Sequence, residues 1–153
     1  MPTFENSIIS KNNGNPIKAG GAKPMKMLLV ENSSLLREVL FEIINNLKNL
    51  SVEGMAATQT KAISLLKEKQ FDILLLDIEL SEGNGFEVIK QTKKPNYPFK
   101  PPIIMMLTNH AHPHYRRLAK DLGVNYFFDK SMDFDLAIQA IELEAERFNK
   151  KLN

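Results

Sequence analysis

The chain has 153 residues, of which 43% are hydrophobic, so we expect one globular domain with a substantial core and little room for a second domain. It contains no cysteine, which excludes disulfides and thiolate metal sites, and its formal net charge of +2 is too small to indicate nucleic-acid binding. The longest apolar runs, such as residues 103–107, are far shorter than the roughly 20 residues of a membrane helix. With no secretory signal either, we expect a cytoplasmic protein without a membrane partner.

Residues 1–24 differ in composition from the rest of the chain. They are rich in Asn, Gly, Pro, Ser and Lys and show no sustained apolar period. Such a segment buries too little surface to order itself. We therefore predict a flexible N-terminal tail over residues 1–24 and a folded domain over residues 25–153, and we interpret the lysines of the tail as solvated.

The domain is predicted to begin with a strand and a helix. Residues 27–30 are a short, continuous apolar run, typical of a strand that is buried on both faces of a parallel sheet. Ser33 or Ser34 can cap the helix that follows, and a weaker strand is predicted over residues 52–57. The helix has one apolar face, whose residues recur at helical spacing: Leu36, Leu40, Ile43, Ile44 and Leu47.

The middle of the chain contains the strongest predicted strand, at residues 71–76. A helix precedes it, with Thr58 or Thr60 as the N-cap and an end near Gln70. A polar loop over residues 81–85 and a short helix over residues 86–92 follow the strand. Residues 93–102 contain four prolines, which predicts a loop.

The remaining elements complete an alternating pattern. We predict strands at residues 103–107 and 124–128, a helix at residues 115–122, and a last helix with an apolar stripe that includes Phe134, Ile141 and Phe148. Five strands then alternate with five helices. This alternation predicts an α/β fold with a doubly wound, five-stranded parallel sheet, for which we adopt the flavodoxin-like order 2-1-3-4-5.

Polar side chains follow four of the five predicted strands. In a doubly wound fold the ligand crevice lies at the carboxyl ends of the strands, so these side chains should meet. They are Glu31 and Asn32 after the first strand, Asp77 after the third, Thr108 after the fourth, and Asp129 with Lys130 after the fifth.

This set of side chains favours phosphoryl chemistry. Carboxylate and amide oxygens suit a hard cation such as Mg²⁺, and Lys130 can pair with a phosphoryl oxygen while Thr108 donates to another. A carboxylate beside a metal and an ammonium is arranged for in-line transfer to itself. The predicted nucleophile is Asp77.

The same stretches resemble the receivers of bacterial response regulators. The matching stretches are residues 28–33, residues 71–77 with Gly85 eight residues further on, residues 107–109 and residues 126–131. Each stretch alone is weak evidence, but the four occur in order and at strand ends. The resemblance covers residues 25 to about 150.

The resemblance implies a function and a role for each site residue. Asp77 would be the phosphoacceptor, assisted by Lys130 and Thr108, while Thr108 and Phe127 would switch on activation. The implied Mg²⁺ ligands are Glu31, Asn32, Asp77 and the backbone carbonyl of Glu79.

The implied partners are proteins. The donor would be a sensor histidine kinase or a phosphotransfer protein, and the output would be docking to an unidentified effector, as in stand-alone receivers. A homodimer through the fourth strand, the fifth strand and the last helix is a further option. Such a protein would be no enzyme beyond its own phosphorylation and dephosphorylation.

Several positions depart from the family pattern. Asn32 stands where a second acid is usual, which should weaken the metal site, and the Glu79 carboxylate would compensate only in part. Ser81 and Ser131 stand where proline is common in the family. Asn109 stands where a small residue is common, and its larger side chain could narrow access to Asp77. These departures leave a second hypothesis open: a pseudo-receiver binding module that works without phosphorylation.

A nucleotide-type site and a histidine metal site are weaker hypotheses. A flavin-binding protein or small phosphatase would need a phosphate loop rich in small residues after the first strand, and Glu31, Asn32 and the two serines that follow do not supply one. The alternating His110, His112 and His114 look metal-binding, but we interpret them as part of a surface loop, since Pro113 interrupts them and no fourth ligand is near.

Overall fold

The computed structural model describes residues 11–12, 15–16 and 23–152. Two short strands, β1 (Lys11–Asn12) and β2 (Asn15–Pro16), form an antiparallel pair. Most of the predicted tail over residues 1–24 lies outside the described residues, so the prediction of a flexible tail is not tested.

The remaining elements form one α/β unit. A five-stranded sheet has the order β4-β3-β5-β6-β7, and all its pairings are parallel. If the five strands of this sheet are numbered from one along the chain, so that β3 is the first, their order is 2-1-3-4-5, as the sequence predicted. The strands are β3 (Met25–Val30), β4 (Leu50–Ala56), β5 (Ile73–Leu76), β6 (Ile103–Thr108) and β7 (Tyr126–Asp129), and the helices are α1 (Ser34–Asn45), α2 (Gln59–Glu68), α3 (Gly85–Thr92), α4 (Pro113–Asp121) and α5 (Phe134–Leu152).

The sheet separates two hydrophobic clusters. Along β3, Leu28 and Val30 face the cluster that α2, α3 and α4 cover, whereas Met27 and Leu29 face the cluster that α1 and α5 cover. The strands are therefore apolar on both sides, which explains their continuous apolar runs. Burial of each large side chain contributes about 1.5–3 kcal/mol, so this sandwich is the main source of stability.

Side-chain caps fix where three of the helices begin. The hydroxyls of Ser33 and Thr58 accept hydrogen bonds from the backbone three residues further on, at the starts of α1 and α2. Asn84 caps α3 in the same way through its side-chain oxygen. Each cap satisfies a backbone N–H that has no partner within its helix.

Some predicted boundaries differ from the observed ones. Strand β4 begins at Leu50, two residues earlier than predicted, and α4 begins at Pro113. Proline is well suited to the first turn of a helix because its missing N–H is not needed there. Phe71 is fully buried but lies before β5, so its hydrophobicity reflects packing of the core and not membership of the strand.

Within the described part of the chain, no helix combines the length and the apolar character that crossing a bilayer would need.

Candidate functional site

Four of the predicted site residues meet at the carboxyl edge of the sheet. Backbone hydrogen bonds hold their chain segments together: the Asp77 N–H donates to Val30 at 3.1 Å, and the Lys130 N–H donates to Thr108 at 2.9 Å. The side chains of Glu31, Asp77 and Thr108 are buried, with exposed fractions of 2%, 4% and 0%.

The ammonium of Lys130 bridges the two buried carboxylates. Its Nζ lies 2.6 Å from Asp77 Oδ2 and 2.9 Å from Glu31 Oε1. Both distances are those of charge-assisted hydrogen bonds. One positive and two negative charges are thus enclosed together, and the cluster carries a net charge of −1.

The two carboxylates change the ionisation of Lys130. Burial acts to lower its pKa, but hydrogen bonds to Asp77 and Glu31, and then their negative charges, outweigh burial and raise the pKa above its ordinary value. The side chain therefore remains an ammonium at neutral pH, which is the form that can neutralise an incoming anion.

The second carboxylate oxygen of Asp77 is hydrogen-bonded to the backbone. This oxygen, Oδ1, accepts hydrogen bonds from the backbone N–H groups of Ile78 at 2.6 Å and Glu79 at 3.3 Å. Gly85 packs on the backbone of the same residue, since a Cβ at position 85 would lie 2.2 Å from the Asp77 carbonyl oxygen. Only glycine fits there, and the start of α3 therefore lies directly against the acidic residue.

Thr108 has a free hydroxyl proton. Its Oγ1 accepts a hydrogen bond from the His110 backbone N–H at 3.1 Å. Within the described residues no acceptor takes up its own O–H, which leaves that donor available.

Two further predicted residues lie near this cluster but outside it. Asn32 is exposed, and the Asp129 carboxylate accepts hydrogen bonds from the backbone N–H and the hydroxyl of Ser131, at 2.9 and 2.8 Å. The bonds from Ser131 lower the pKa of Asp129. Asp129 therefore caps the turn before α5 and contributes no charge to the cluster of Glu31, Asp77 and Lys130.

The side chain of Glu79 contacts a histidine. Its Oε1 lies 2.8 Å from His110 Nε2, in an exposed contact that joins the loops after β5 and β6. Sequence reasoning missed this contact. The sequence did contain a signal for it. Strands β5 and β6 are parallel neighbours, and Glu79 and His110 follow the ends of these strands at similar distances.

The donor set fits a small, hard cation. Buried carboxylate oxygens from Glu31 and Asp77 lie close enough to share one ammonium, and such oxygens are the ligands that Mg²⁺ prefers. Among residues 23–152, no group of three or more His, Cys, Asp or Glu side chains could hold a metal ion. A cation here would thus rely on two carboxylates together with backbone oxygen and water.

The three histidines surround one aromatic ring. His110, His112 and His114 each lie between 5.4 and 6.0 Å from the ring of Tyr115, measured between centroids. The Tyr115 ring also stacks on Phe86. The histidines were predicted to lie in a surface loop, but His114 lies in the first turn of α4 and His112 is the N-cap of that helix.

Phe127 lies on β7 beside the site. Its ring is half-buried against the cluster covered by α2, α3 and α4, whereas Phe128 packs on the opposite face of the sheet. The guanidinium of Arg116 lies 4.8 Å from the centroid of the Phe127 ring. Sequence reasoning did not single out Arg116, because a cation–π contact between a helix and a distant strand leaves no local pattern.

Comparisons with known proteins agree with this geometry. Residues 27–142 match the family model described as response regulator receiver domain. The chain is 34% identical over 71% of its length to a protein-glutamate methylesterase/protein-glutamine glutaminase 2 of Vibrio vulnificus, and 29% identical over 77% of its length to the sensory transduction protein LytT of Bacillus cereus. It spans only 31% and 46% of the lengths of these two relatives.

A solved structure extends the agreement to three dimensions. The non-phosphorylated HemR receiver domain from Leptospira biflexa superposes with a TM-score of 0.63 at 30% identity, over 78% of this chain and 94% of that one. Receiver domains of this kind bind Mg²⁺ at the phosphorylation site and interact with histidine kinases or phosphotransfer proteins. The chain belongs to the response regulator receiver domain family and contains the receiver domain of a two-component response regulator.

Proposed function

We propose that this receiver domain accepts a phosphoryl group on Asp77 from a sensor histidine kinase or a phosphotransfer protein. One observation carries the proposal: Lys130 Nζ bridges the buried carboxylates of Asp77 and Glu31, at 2.6 and 2.9 Å. A nucleophile, a metal-binding carboxylate and a fixed cation are thereby gathered at one point.

The chemistry follows from this arrangement. A carboxylate oxygen of Asp77 forms a bond to phosphorus, while the bond from phosphorus to the donor breaks and the donor keeps its electron pair. Lys130 is placed to neutralise one phosphoryl oxygen, and the Thr108 hydroxyl donates to another. The backbone N–H groups on Asp77 Oδ1 hold the nucleophile in a single orientation meanwhile.

Glu31, Asp77 and the backbone carbonyl of Glu79 would hold the Mg²⁺, and Asn32 would add at most a neutral amide oxygen. When bound, the ion neutralises charge that builds up on the transferring group. An acidic side chain at position 32 would strengthen the electrostatic attraction between the site and Mg²⁺ by about 1 kcal/mol or more at contact distance. We expect Asn32→Asp to tighten Mg²⁺ binding about fivefold or more, as measured by calorimetric titration.

The output we propose is docking to an effector protein. Phosphorylation would draw the Thr108 hydroxyl toward the phosphoryl group and shift Phe127 on the neighbouring strand, changing the surface formed by β6, β7 and α5. That surface could also pair two copies of the domain. A cytoplasmic location goes with this proposal, because histidine kinases draw their phosphoryl groups from ATP.

We propose no reaction on an external substrate for these residues. The methylesterase named above is a protein of which the chain covers 31%. The residues that we propose for phosphoryl acceptance, Glu31, Asp77, Thr108 and Lys130, lie within residues 27–142, which match the receiver-domain family model.

The test is phosphorylation by a small-molecule donor. The protein is incubated with Mg²⁺ and acetyl phosphate, and its intact mass is followed beside an Asp77→Asn variant. We expect one phosphoryl adduct that requires both Mg²⁺ and Asp77. An adduct that persists in Asp77→Asn, or no adduct in either protein, would overturn the proposal. The second outcome would favour the pseudo-receiver, which the enclosed cluster of acid, hydroxyl and ammonium does not support at present.

A further inference from the structure

The loop that follows Asp77 folds back on itself. Glu79 and Asn84 form an isolated antiparallel bridge, and the Gly85 N–H donates to the Ile78 carbonyl at 2.8 Å. Glu79 is at the start of this closed loop, and its N–H is also bonded to the Asp77 carboxylate. The position of Glu79 relative to Asp77 therefore depends on how the rest of the loop is held.

The first turn of α2 holds the far side of the loop. Gln59 contributes twice: its side-chain Oε1 accepts the Asn84 N–H at 3.1 Å, and its own N–H donates to the Glu82 carbonyl at 2.9 Å. The Thr60 N–H donates to the Glu82 carboxylate at 3.0 Å. We refer to these contacts of Gln59, Thr60, Glu82 and Asn84 as the Gln59 clasp.

The loop backbone is shaped around the Gln59 side chain. Gly83 has a φ of +74°, and a Cβ at this position would lie 2.1 Å from Gln59 Oε1. A residue with a side chain would thus be strained by its φ angle and would displace the amide as well. The loop and the glutamine fit each other closely, although 25 residues separate the hydrogen-bonded pair Gln59 and Asn84.

We infer that Gln59 is a positioning residue for the metal ligand that Glu79 supplies through its backbone carbonyl. This inference rests on the proposed function. A side-chain ligand can adjust by rotating, whereas a backbone carbonyl moves only with its loop. Among the hydrogen bonds that the described residues form, none uses the Glu79 carbonyl oxygen. Gln59 touches neither Asp77 nor that carbonyl, and it acts through the loop.

The test uses two variants of Gln59 that differ in one property. Gln59→Met keeps the length and helix propensity of the side chain but removes the acceptor for the Asn84 N–H. Gln59→Glu keeps an acceptor oxygen at the same place. The control is Thr58→Ala, which removes the cap of α2 and destabilises the same turn by about 1 kcal/mol without touching the loop.

The primary measurement is Mg²⁺ binding by calorimetric titration, which does not depend on phosphorylation. We expect Gln59→Met to weaken binding about tenfold, at the lower end of the range for residues that orient a metal ligand. Gln59→Glu and Thr58→Ala should bind Mg²⁺ within about twofold of the wild type. Amide hydrogen exchange should show lost protection at Asn84 in Gln59→Met alone.

The outcomes separate this inference from the proposed function. Unchanged Mg²⁺ binding in Gln59→Met, equal weakening in Thr58→Ala, or a wild type that binds no Mg²⁺ would each overturn the inference. A wild type that binds Mg²⁺ but takes no phosphoryl group on Asp77 would overturn only the proposed function.

Discussion

An aspartate flanks each end of strand β5, and the two have different kinds of partner. At the amino end, the Asp72 carboxylate accepts the backbone N–H of Lys26 at 2.8 Å, and nearby Asn125 accepts the backbone N–H of Ile104 at the same distance. At the carboxyl end, Asp77 meets the side-chain ammonium of Lys130. The amino-end side chains are bonded to backbone N–H groups, whereas Asp77 at the carboxyl end is bonded both to backbone N–H groups and to a charged side chain.

This difference separates structural from chemical polar groups within one sheet. Removal of a side chain that is bonded to the backbone leaves an N–H donor without its partner. Side chains bonded to one another, such as Lys130 and Asp77, can take up an additional charged partner. We therefore expect substitutions at the two ends to differ both in their cost to stability and in their effect on phosphorylation.

The largest expected effect is at Lys130. Lys130→Met should lower the free energy of unfolding by about 3 kcal/mol or more, because Glu31 and Asp77 would remain buried side by side without a cation. Urea denaturation at neutral pH measures this, with Lys61→Met at an exposed helix position as the control. A loss similar to that of the control would show that the backbone, and not the ammonium, holds the carboxyl end together.

A smaller loss is expected at the amino end. Asp72→Ala should cost about 1–2 kcal/mol of stability, the value of one hydrogen bond from a backbone N–H to a carboxylate. Phosphorylation by acetyl phosphate, followed by intact mass, should be unchanged. If Asp72→Ala abolished the adduct while remaining folded, the distinction between the two ends would be wrong.

The cation–π contact between Arg116 and Phe127 should contribute still less to the free energy of unfolding. Arg116→Ala removes the cation–π contact with Phe127 and should cost about 0.5–1 kcal/mol. Arg117→Ala, at the next exposed position of α4, is the matched control for loss of charge. Equal unfolding midpoints for the two variants would show that the ring of Phe127 is held by the core alone.

The smallest effect is expected from the pH dependence of an amino-end contact. A hydrogen bond to Glu144, and then burial and the Glu144 charge, raise the pKa of Tyr126 above its ordinary value of 10.0. The unfolded chain therefore loses the phenol proton first, and the stability that this contact provides is complete below pH 10.0 and declines as pH rises through the folded pKa.

Comparison with Tyr126→Phe isolates this contribution. The wild type should exceed the variant in stability at pH 8, and the difference should narrow toward pH 11, as measured by urea denaturation at both values. A difference that stays constant across this range would contradict the assignment to the phenol.

The sequence predicted the sheet and the polar residues at its carboxyl edge for the same reason. Strands buried on both faces are continuous apolar runs, and the first polar residue after each run is recognisable without knowledge of the fold. Glu31, Asp77 and Thr108 are the first polar residues after such runs, whereas Lys130 is the second polar residue after its run and follows Asp129.

Contacts between loops could not be predicted in this way. The Gln59 clasp joins the first turn of α2 to the loop after β5, and the pair of Glu79 with His110 joins the loops after β5 and β6. No periodicity relates the members of either contact. The antiparallel pair of strands β1 and β2 was not predicted, although the sequence contains a local signal for a hairpin. Asn13 and Gly14 stand between them in the sequence, and this dipeptide strongly favours two-residue hairpin turns.

The bridging ammonium has a consequence for where activation starts. An ammonium has three N–H donors, and the two described contacts of Lys130 use one each, to Asp77 and Glu31. A phosphoryl oxygen can engage the third donor while the lysine stays in place. Thr108, in contrast, must turn its hydroxyl proton to take part. Under the proposed function, Lys130 would therefore stay in place, and we expect the first movement after phosphorylation to arise on β6.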